Sequence, residues 1–319
     1  MKKKYILTNE TLNHDGHILH RIQSVSTFGN VAGGDLGGWV ESEDNLSHDG
    51  LCWIADDAKV YDDANVCQNA KVGNKAIVFN QAKVYGDAWV GGEAIVFGGA
   101  KISGYAWVSG NARIIMQVSI YGYAKVYENA FVFGSAVVCG YATISGNAQV
   151  YDNATVTNKA KVNDNAHVCD KANVGGNALV FGNAKISGNT IIRGDSWVYE
   201  NATVSDNAFV NDDAHVGGDA IVGGDAILDG YTEIYGDSVV KSIEDYMVFK
   251  NNWSTNWNRN KWFTWTKSND KWKVGAFYGT GEELLSKSYM DSKEDGDKYK
   301  IYVELVERLK QYNYGNHTH

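Results

Sequence analysis

The stretch Asp87-Ala88-Trp89-Val90-Gly91-Gly92-Glu93-Ala94-Ile95-Val96-Phe97-Gly98-Gly99-Ala100 decides the fold. Ala returns at every sixth residue, and an aliphatic follows two places later. The phase runs unbroken from Ala58 to Ser238. Of its 31 positions 26 are Ala, the exceptions being Val118, Thr190, Ser196, Thr232 and Ser238. The position two residues on is Val, Ile or Leu throughout. Residues two apart share one face of a strand. The Gly, Asn and Asp pairs between hexads tolerate left-handed backbone at a corner. Short strands joined by such corners stack into a parallel β-helix, and a period of six fits no α-helix.

Composition agrees. The chain has 319 residues, 35 Gly and no Pro, as expected where turns need positive φ, which Pro cannot reach. A net charge of −9 argues against a sequence-independent grip on polymeric nucleic acid, though a few local Lys can still hold a small anion. Lys2, Lys3 and Lys4 precede only the short apolar run Tyr5-Ile6-Leu7, so no signal peptide is expected. No apolar run reaches the length of a membrane span, and a cytoplasmic location follows as the expectation. Cys52, Cys67, Cys139 and Cys169 show no metal or disulfide spacing, and free thiols are expected.

An aliphatic followed four residues later by Ala, every six residues, resembles the hexapeptide-repeat superfamily. That resemblance implies a left-handed helix with three hexads per coil, hence about ten coils on the order of 50 Å long. The segment Gly34-Asp35-Leu36-Gly37-Gly38-Trp39-Val40-Glu41, with Asn45-Leu46-Ser47 and Cys52-Trp53-Ile54, is similar to the opening of β-helix proteins common in bacteriophages and prophages. Gly275-Ala276-Phe277-Tyr278-Gly279-Thr280-Gly281-Glu282-Glu283-Leu284, followed by Asp297-Lys298-Tyr299, resembles a small domain that ends some of them. The expected fold is therefore all-β: a left-handed parallel β-helix over 52–241, a cap over 1–51 and an α+β domain over 242–319.

Within that last domain Trp253, Trp257, Trp262, Trp265 and Trp272 crowd together, which reads as a compact aromatic core or, alternatively, an aromatic cage. Strands are expected at Phe263–Thr266 and Lys271–Phe277 around a Ser268-Asn269-Asp270 turn. Helices are expected at Glu282–Tyr289 and Tyr299–Gln311, the second with Ile301, Leu305 and Leu309 on an apolar stripe and Val306 beside it.

In a three-sided coil, residues 18 apart stack, so the outside can be read in columns. One face carries Lys59/Tyr61, Ile77/Phe79, Ile95/Phe97, Arg113/Ile115, Phe131/Phe133 and Gln149/Tyr151. Outward apolar residues of this kind mark a contact surface, and the family resemblance implies a homotrimer with rods side by side. Docking of the C-terminal domain along this face is the alternative. A second face carries Lys71, Trp89, Trp107, Lys125 and Tyr127, and later Leu179, Phe181, Trp197 and Tyr199. Stacked indoles between Lys suit a planar anion, since aromatics stack on a base while ammonium groups meet phosphate. Lys83, Tyr85, Lys101, Ser119 and Tyr121 repeat the mixture more weakly on the third face. Such ladders also arise simply as supports of the sheet.

Catalytic groups are sparse. The acyltransferases of the resembled superfamily use a His base, often beside a projecting loop, and its carbonic anhydrases gather three His. Here no insertion breaks the register, and only His167 and His215 lie in the rod, on different faces. No P-loop, nucleophile elbow or metalloprotease motif occurs. No cofactor or metal is expected. The leading expectation is a phage-encoded, non-enzymatic sponge that sequesters a nucleotide-derived immune signal in the host cytoplasm. The alternatives are an acyltransferase-like enzyme using His167 or His215, and a purely structural or virion-associated rod.

Overall fold

The computed structural model describes residues 3–250 and 262–315. Its N-terminal hairpin pairs β1 (Tyr5–His14) with β2 (His17–Ser24) across an Asp15-Gly16 turn, both turn residues at positive φ. Strand β3 (Leu36–Val40) is the adapter. One edge pairs antiparallel with β2, and the other pairs parallel with Lys59–Val60 of the rod.

From there two-residue rungs stack at intervals of 18 residues into three parallel sheets. The sheet running from Trp53 to Glu233 holds eleven strands, giving a solenoid of about eleven turns. The count exceeds the expected ten because Trp39–Val40, Leu46 and Trp53–Ile54 form an additional first turn. In this turn Trp39 pairs with Lys59 and Leu46 with Val66, two residues more than the regular step. Gly38 takes the place of Ala there, and a Cβ would meet the Ala58 carbonyl oxygen at 2.6 Å.

The interior is a stack of Ala and branched aliphatics, almost all fully buried. Apolar burial of this kind is the main favourable term, roughly 25 cal/mol per Å². Where a hydroxyl replaces Ala, it is mostly satisfied locally. Thr232 Oγ1 donates to the Asp229 carbonyl at 2.7 Å, Ser238 Oγ to that of Tyr235 at 2.6 Å, and Thr190 to that of Ser187. Ser196 Oγ has no partner among the described residues.

Each corner opens on a residue at positive φ. Where it is not Gly, its side chain commonly accepts from the backbone N–H of the next turn. Asp56 binds Asn74 N at 2.8 Å, Gln68 binds Gly86 N at 2.8 Å, Glu128 binds Gly146 N at 2.6 Å and Glu200 binds Gly218 N at 2.7 Å. Met116, at φ 70°, has no such acceptor to offer. The corner of Glu128 and Glu200 also carries an amide ladder from Asn111 through Asn129, Asn147, Asn165, Asn183 and Asn201 to Asp219.

Both rod ends close with the same device. Ser42 caps the 3₁₀ turn Glu43–Asn45 and Ser242 caps Ile243–Asp245, each by a reciprocal capping box. Beyond the second turn lies an antiparallel sheet of Tyr246–Lys250, Trp262–Thr266, Lys271–Val274 and Phe277–Thr280. Helices α1 (Gly281–Asp291) and α2 (Lys293–Gly315) follow. Trp265 and Trp272 are buried in this domain's core with Phe263, Leu284, Tyr299, Val303 and Val306, as a compact core requires. Trp253 and Trp257 lie outside the described residues.

The expected stripe on α2 is corrected. Tyr299, Val303 and Val306 face the core, while Ile301 and Leu305 are exposed. Both sets have helical spacing. The edge-to-face contact of Tyr299 with Phe263, 4.7 Å between centroids, selects the first.

The domain seals the last turn of the rod. Thr264 Oγ1 accepts from Glu233 N at 3.1 Å and Ser268 Oγ from Val239 N at 2.8 Å. Asp237 gathers Lys271, Asn269 and Tyr278, which holds its carboxyl far below the usual range.

Candidate functional site

The face with Trp89 and Trp107 and the face with Lys83 and Lys101 are adjacent. The rung at Lys101–Ile102 leads through Gly104-Tyr105 directly into the rung at Trp107–Val108. Tyr105, Tyr123 and Tyr141 stack along that shared corner, with successive centroids 4.9 Å apart and planes within 6°. They are 57%, 47% and 59% exposed, and Trp107 and Tyr121 nearby are 47% and 45% exposed. A corner that carries Asn69 and Asp87 before and Lys159, Asn177 and Asp195 after thus turns aromatic over three turns.

The Trp column is less uniform than its sequence. Trp89 is half-buried, and its indole lies against Gly73 and Gly91. A Cβ on either glycine would come within 2.7 and 2.5 Å of the ring. One indole face is therefore committed to the rod. Trp107 is freer, its Nε1 donating to Ser109 Oγ at 2.8 Å. The two indoles are 5.7 Å apart and tilted by 36°.

Lys71 is not free, because its Nζ donates to Asn30 Oδ1 at 3.0 Å. Tyr127 is half-buried. Lys83, Lys101 and Lys125 are exposed, as are Lys159 at the same corner beyond Tyr141 and Lys161 in the column of Trp107 and Lys125. Among the described residues none of these five amino groups makes an ion pair.

On the Lys83/Lys101 face an open groove of about 480 Å³ is lined by Tyr85, Lys101, Ser103, Ser119 and Tyr121 together with Gly104 and Gly122. The structure therefore brings Tyr85 and Lys101 to a concave surface beside the tyrosine corner. Reasoning on rung positions alone passes over Tyr105, Tyr123 and Tyr141, because corner residues read as turn formers. Their signal is present in the sequence as three Gly-Tyr pairs spaced 18 residues apart.

The apolar column is built as its spacing suggests. Tyr61, Phe79 and Phe97 stack at 5.1 and 4.7 Å, and Phe133 stacks on Phe131 and Tyr151 at 4.5 and 4.7 Å. Its first rungs, Ile77 and Phe79, pack against the cluster of Leu19, Trp39 and Tyr61, with Leu12 beside them. The N-terminal hairpin thus occupies that end. Ile95, Phe97, Ile115, Phe131, Phe133 and Tyr151 continue half-buried beyond it.

His167 and His215 lie in different sheets. His167 meets Tyr151 edge-on at 6.3 Å. His215 stacks on Trp197 at 4.9 Å, and burial lowers its pKa, opposed by Glu233 and Asp213. All four cysteines are free thiols. Among the described residues no helix is long and apolar enough to cross a membrane.

A family model described as YdcK Beta solenoid repeat matches residues 148–163. The UDP-N-acetylglucosamine O-acyltransferase (LpxA) of Moraxella catarrhalis is similar at 13% identity and a TM-score of 0.40, over 78% of this chain and 93% of that one. A presumed acetyltransferase from Desulfovibrio desulfuricans is similar at 10% identity and a TM-score of 0.16, over 78% and 76%. No curated protein matches. The β-solenoid fold itself rests on the strand pairing described above.

Proposed function

We propose that this chain is a non-enzymatic binding protein whose aromatic corner sequesters a nucleotide-derived anion of the cyclic oligonucleotide or cyclic ADP-ribose class. One observation carries the reading. Exposed rings at Tyr105, Trp107, Tyr121, Tyr123 and Tyr141 stand among Lys amino groups without carboxylate partners, on a chain of net charge −9. Rings stack on bases, and ammonium groups that lack internal counter-charges favour phosphate. Similarity of the two end segments to phage and prophage β-helix proteins supports the finer reading. In it, a phage-encoded sponge removes an immune signal from the host cytoplasm. Copies would associate through the apolar column from Ile95 to Tyr151, as a trimer.

A second reading, acyl transfer with His215 as base, is favoured by its burial-lowered pKa beside Glu233, since a base must be neutral to accept a proton. One experiment separates the two. The protein is incubated with a panel of cyclic oligonucleotides and cyclic ADP-ribose isomers, freed of unbound ligand, heated, and its released contents identified. Intact recovery of one compound supports sequestration. An altered product supports an enzyme, and no retention of any panel member overturns the proposal.

A further inference from the structure

We infer that His17, Glu41 and Asp62 form a binding site for one divalent ion of the zinc class, which ties the N-terminal hairpin to the rod. This site is separate from the aromatic corner and does not depend on it. One ligand atom from each of the three residues lies within 4.8 Å of the others. His17 Nδ1 is 3.0 Å from Glu41 Oε1, and His17 Nε2 is 3.6 Å from Asp62 Oδ1. Tetrahedral zinc with bonds of 2.0–2.1 Å separates neighbouring ligand atoms by about 3.3 Å, and a cluster whose ligand atoms lie within 4.8 Å of one another reaches that value with small side-chain movements. In this structure the ring directs Nδ1 to Glu41 and Nε2 to Asp62; to bind an ion it would give up one of these contacts and present a single nitrogen.

Besides their contacts with the imidazole, the carboxylates are held by backbone donors. Glu41 Oε2 accepts from Asp62 N at 2.8 Å. Asp62 is held at φ 55°, and its Oδ2 accepts from Asn80 N at 3.1 Å. An ion would replace the contacts that Glu41 Oε1 and Asp62 Oδ1 make with His17, while the backbone bonds keep the carboxylates in place, and such outer contacts are what tune metal sites. Each of the three side chains is about one-third exposed or less, so an ion can enter without remaining fully hydrated.

His14 lies at the same end of the hairpin but outside the cluster, with its Nε2 3.7 Å from Asp15 Oδ2. It pairs with His17 across the turn, and directly paired residues project to one face. Both rings pack on Tyr61, at 5.8 and 4.8 Å. His14 Nε2 is buried and makes no hydrogen bond among the described residues. A donor set of imidazole nitrogen with carboxylate oxygen selects zinc, cobalt or nickel over calcium and magnesium, which prefer oxygen alone. The ligands come from β2, the end of β3 and the first regular turn, so the ion would staple three segments that are distant in sequence.

The test is titration of the chelator-stripped full chain with zinc chloride by calorimetry, with cobalt substitution read by visible absorption. One ion per chain is expected, together with a cobalt spectrum of nitrogen and oxygen ligation. Asp62→Asn keeps a residue that tolerates positive φ and should fold normally, as its thermal midpoint in chelator will report. It and His17→Gln should each weaken zinc binding on the order of tenfold or more. Cys169→Ser should leave it unchanged, although Cys169 lies beside Asp152 and Asp170 in another potential cluster. Absence of stoichiometric binding, wild-type affinity in folded Asp62→Asn, or loss of binding in Cys169→Ser would each overturn the site.

Discussion

Tyr231 and Trp262 stack at 4.9 Å with 19° between their ring planes. Tyr231 stands in the same corner column as Tyr105, Tyr123 and Tyr141, five regular turns beyond the last of them. At Tyr231 the column receives an indole from the C-terminal sheet, while its other three tyrosines face solvent. Inside this molecule, then, a corner tyrosine already serves as a platform for a flat ring.

Trp107→Ala and Tyr123→Ala should each reduce affinity for the retained nucleotide. A base–aromatic stack is worth about 1–3 kcal/mol, or roughly 5- to 150-fold. Thermal midpoints should stay at the wild-type value, because both rings are about half exposed. Trp89→Ala should behave differently and lower the midpoint, since it strips the ring from Gly73 and Gly91. Calorimetric titration beside a melting curve checks both halves. Undiminished affinity in the first two variants would remove the corner as the site.

Met116→Asp should stabilise the rod by about 1 kcal/mol. The gain comes from a residue better suited to left-handed backbone and from a carboxylate that can accept the Gly134 N–H, as corner carboxylates do elsewhere. A midpoint raised by roughly 2 °C is expected. A midpoint lowered by the change would contradict this account of the corners.

Acidification should loosen the C-terminal end before the rest. Burial depresses the His215 pKa, so its contribution is present above the ordinary histidine value of about 6.5 and is lost as pH falls below it. The Asp237 carboxyl is also depressed, by its bonds to Tyr278, Lys271 and Asn269. It contributes above the ordinary aspartate value and is lost only in stronger acid. Hydrogen exchange from pH 7.5 down to about 2 should show protection failing at Glu233 and Val239 earlier than in the middle turns. In Asp237→Asn the strongly acidic step should disappear.

Truncation after Lys241 should cause concentration-dependent association. The C-terminal domain supplies Thr264 and Ser268 to the Glu233 and Val239 N–H groups, and an uncovered sheet edge pairs with other chains. Light scattering on the shortened chain should rise with concentration while the full chain stays unchanged.

Much of this architecture was legible in the sequence because one six-residue pattern repeats what the backbone needs: a small residue, an aliphatic and a corner former. The extra first turn was hidden because Gly38 stands where Ala is expected and the step there is longer by two residues. The α2 stripe was ambiguous because two sets of residues share helical spacing, and only contact with Phe263 chooses between them. The candidate site was half visible. Trp107, Lys101, Lys125 and Tyr85 could be found from rungs, whereas the tyrosine corner lay in positions read as turns. Lys71 shares the column of Trp107 and Lys125, but its amino group is held by Asn30, which is distant in sequence.

The unbroken 18-residue step makes the molecule a gauge. Excising or duplicating one whole turn between Tyr141 and Tyr231 would move the C-terminal domain by about 4.8 Å along the axis and leave the faces aligned. Length can therefore change in fixed increments while surface chemistry stays in register. Insertion of one or two hexads would instead carry everything beyond it round by one or two faces.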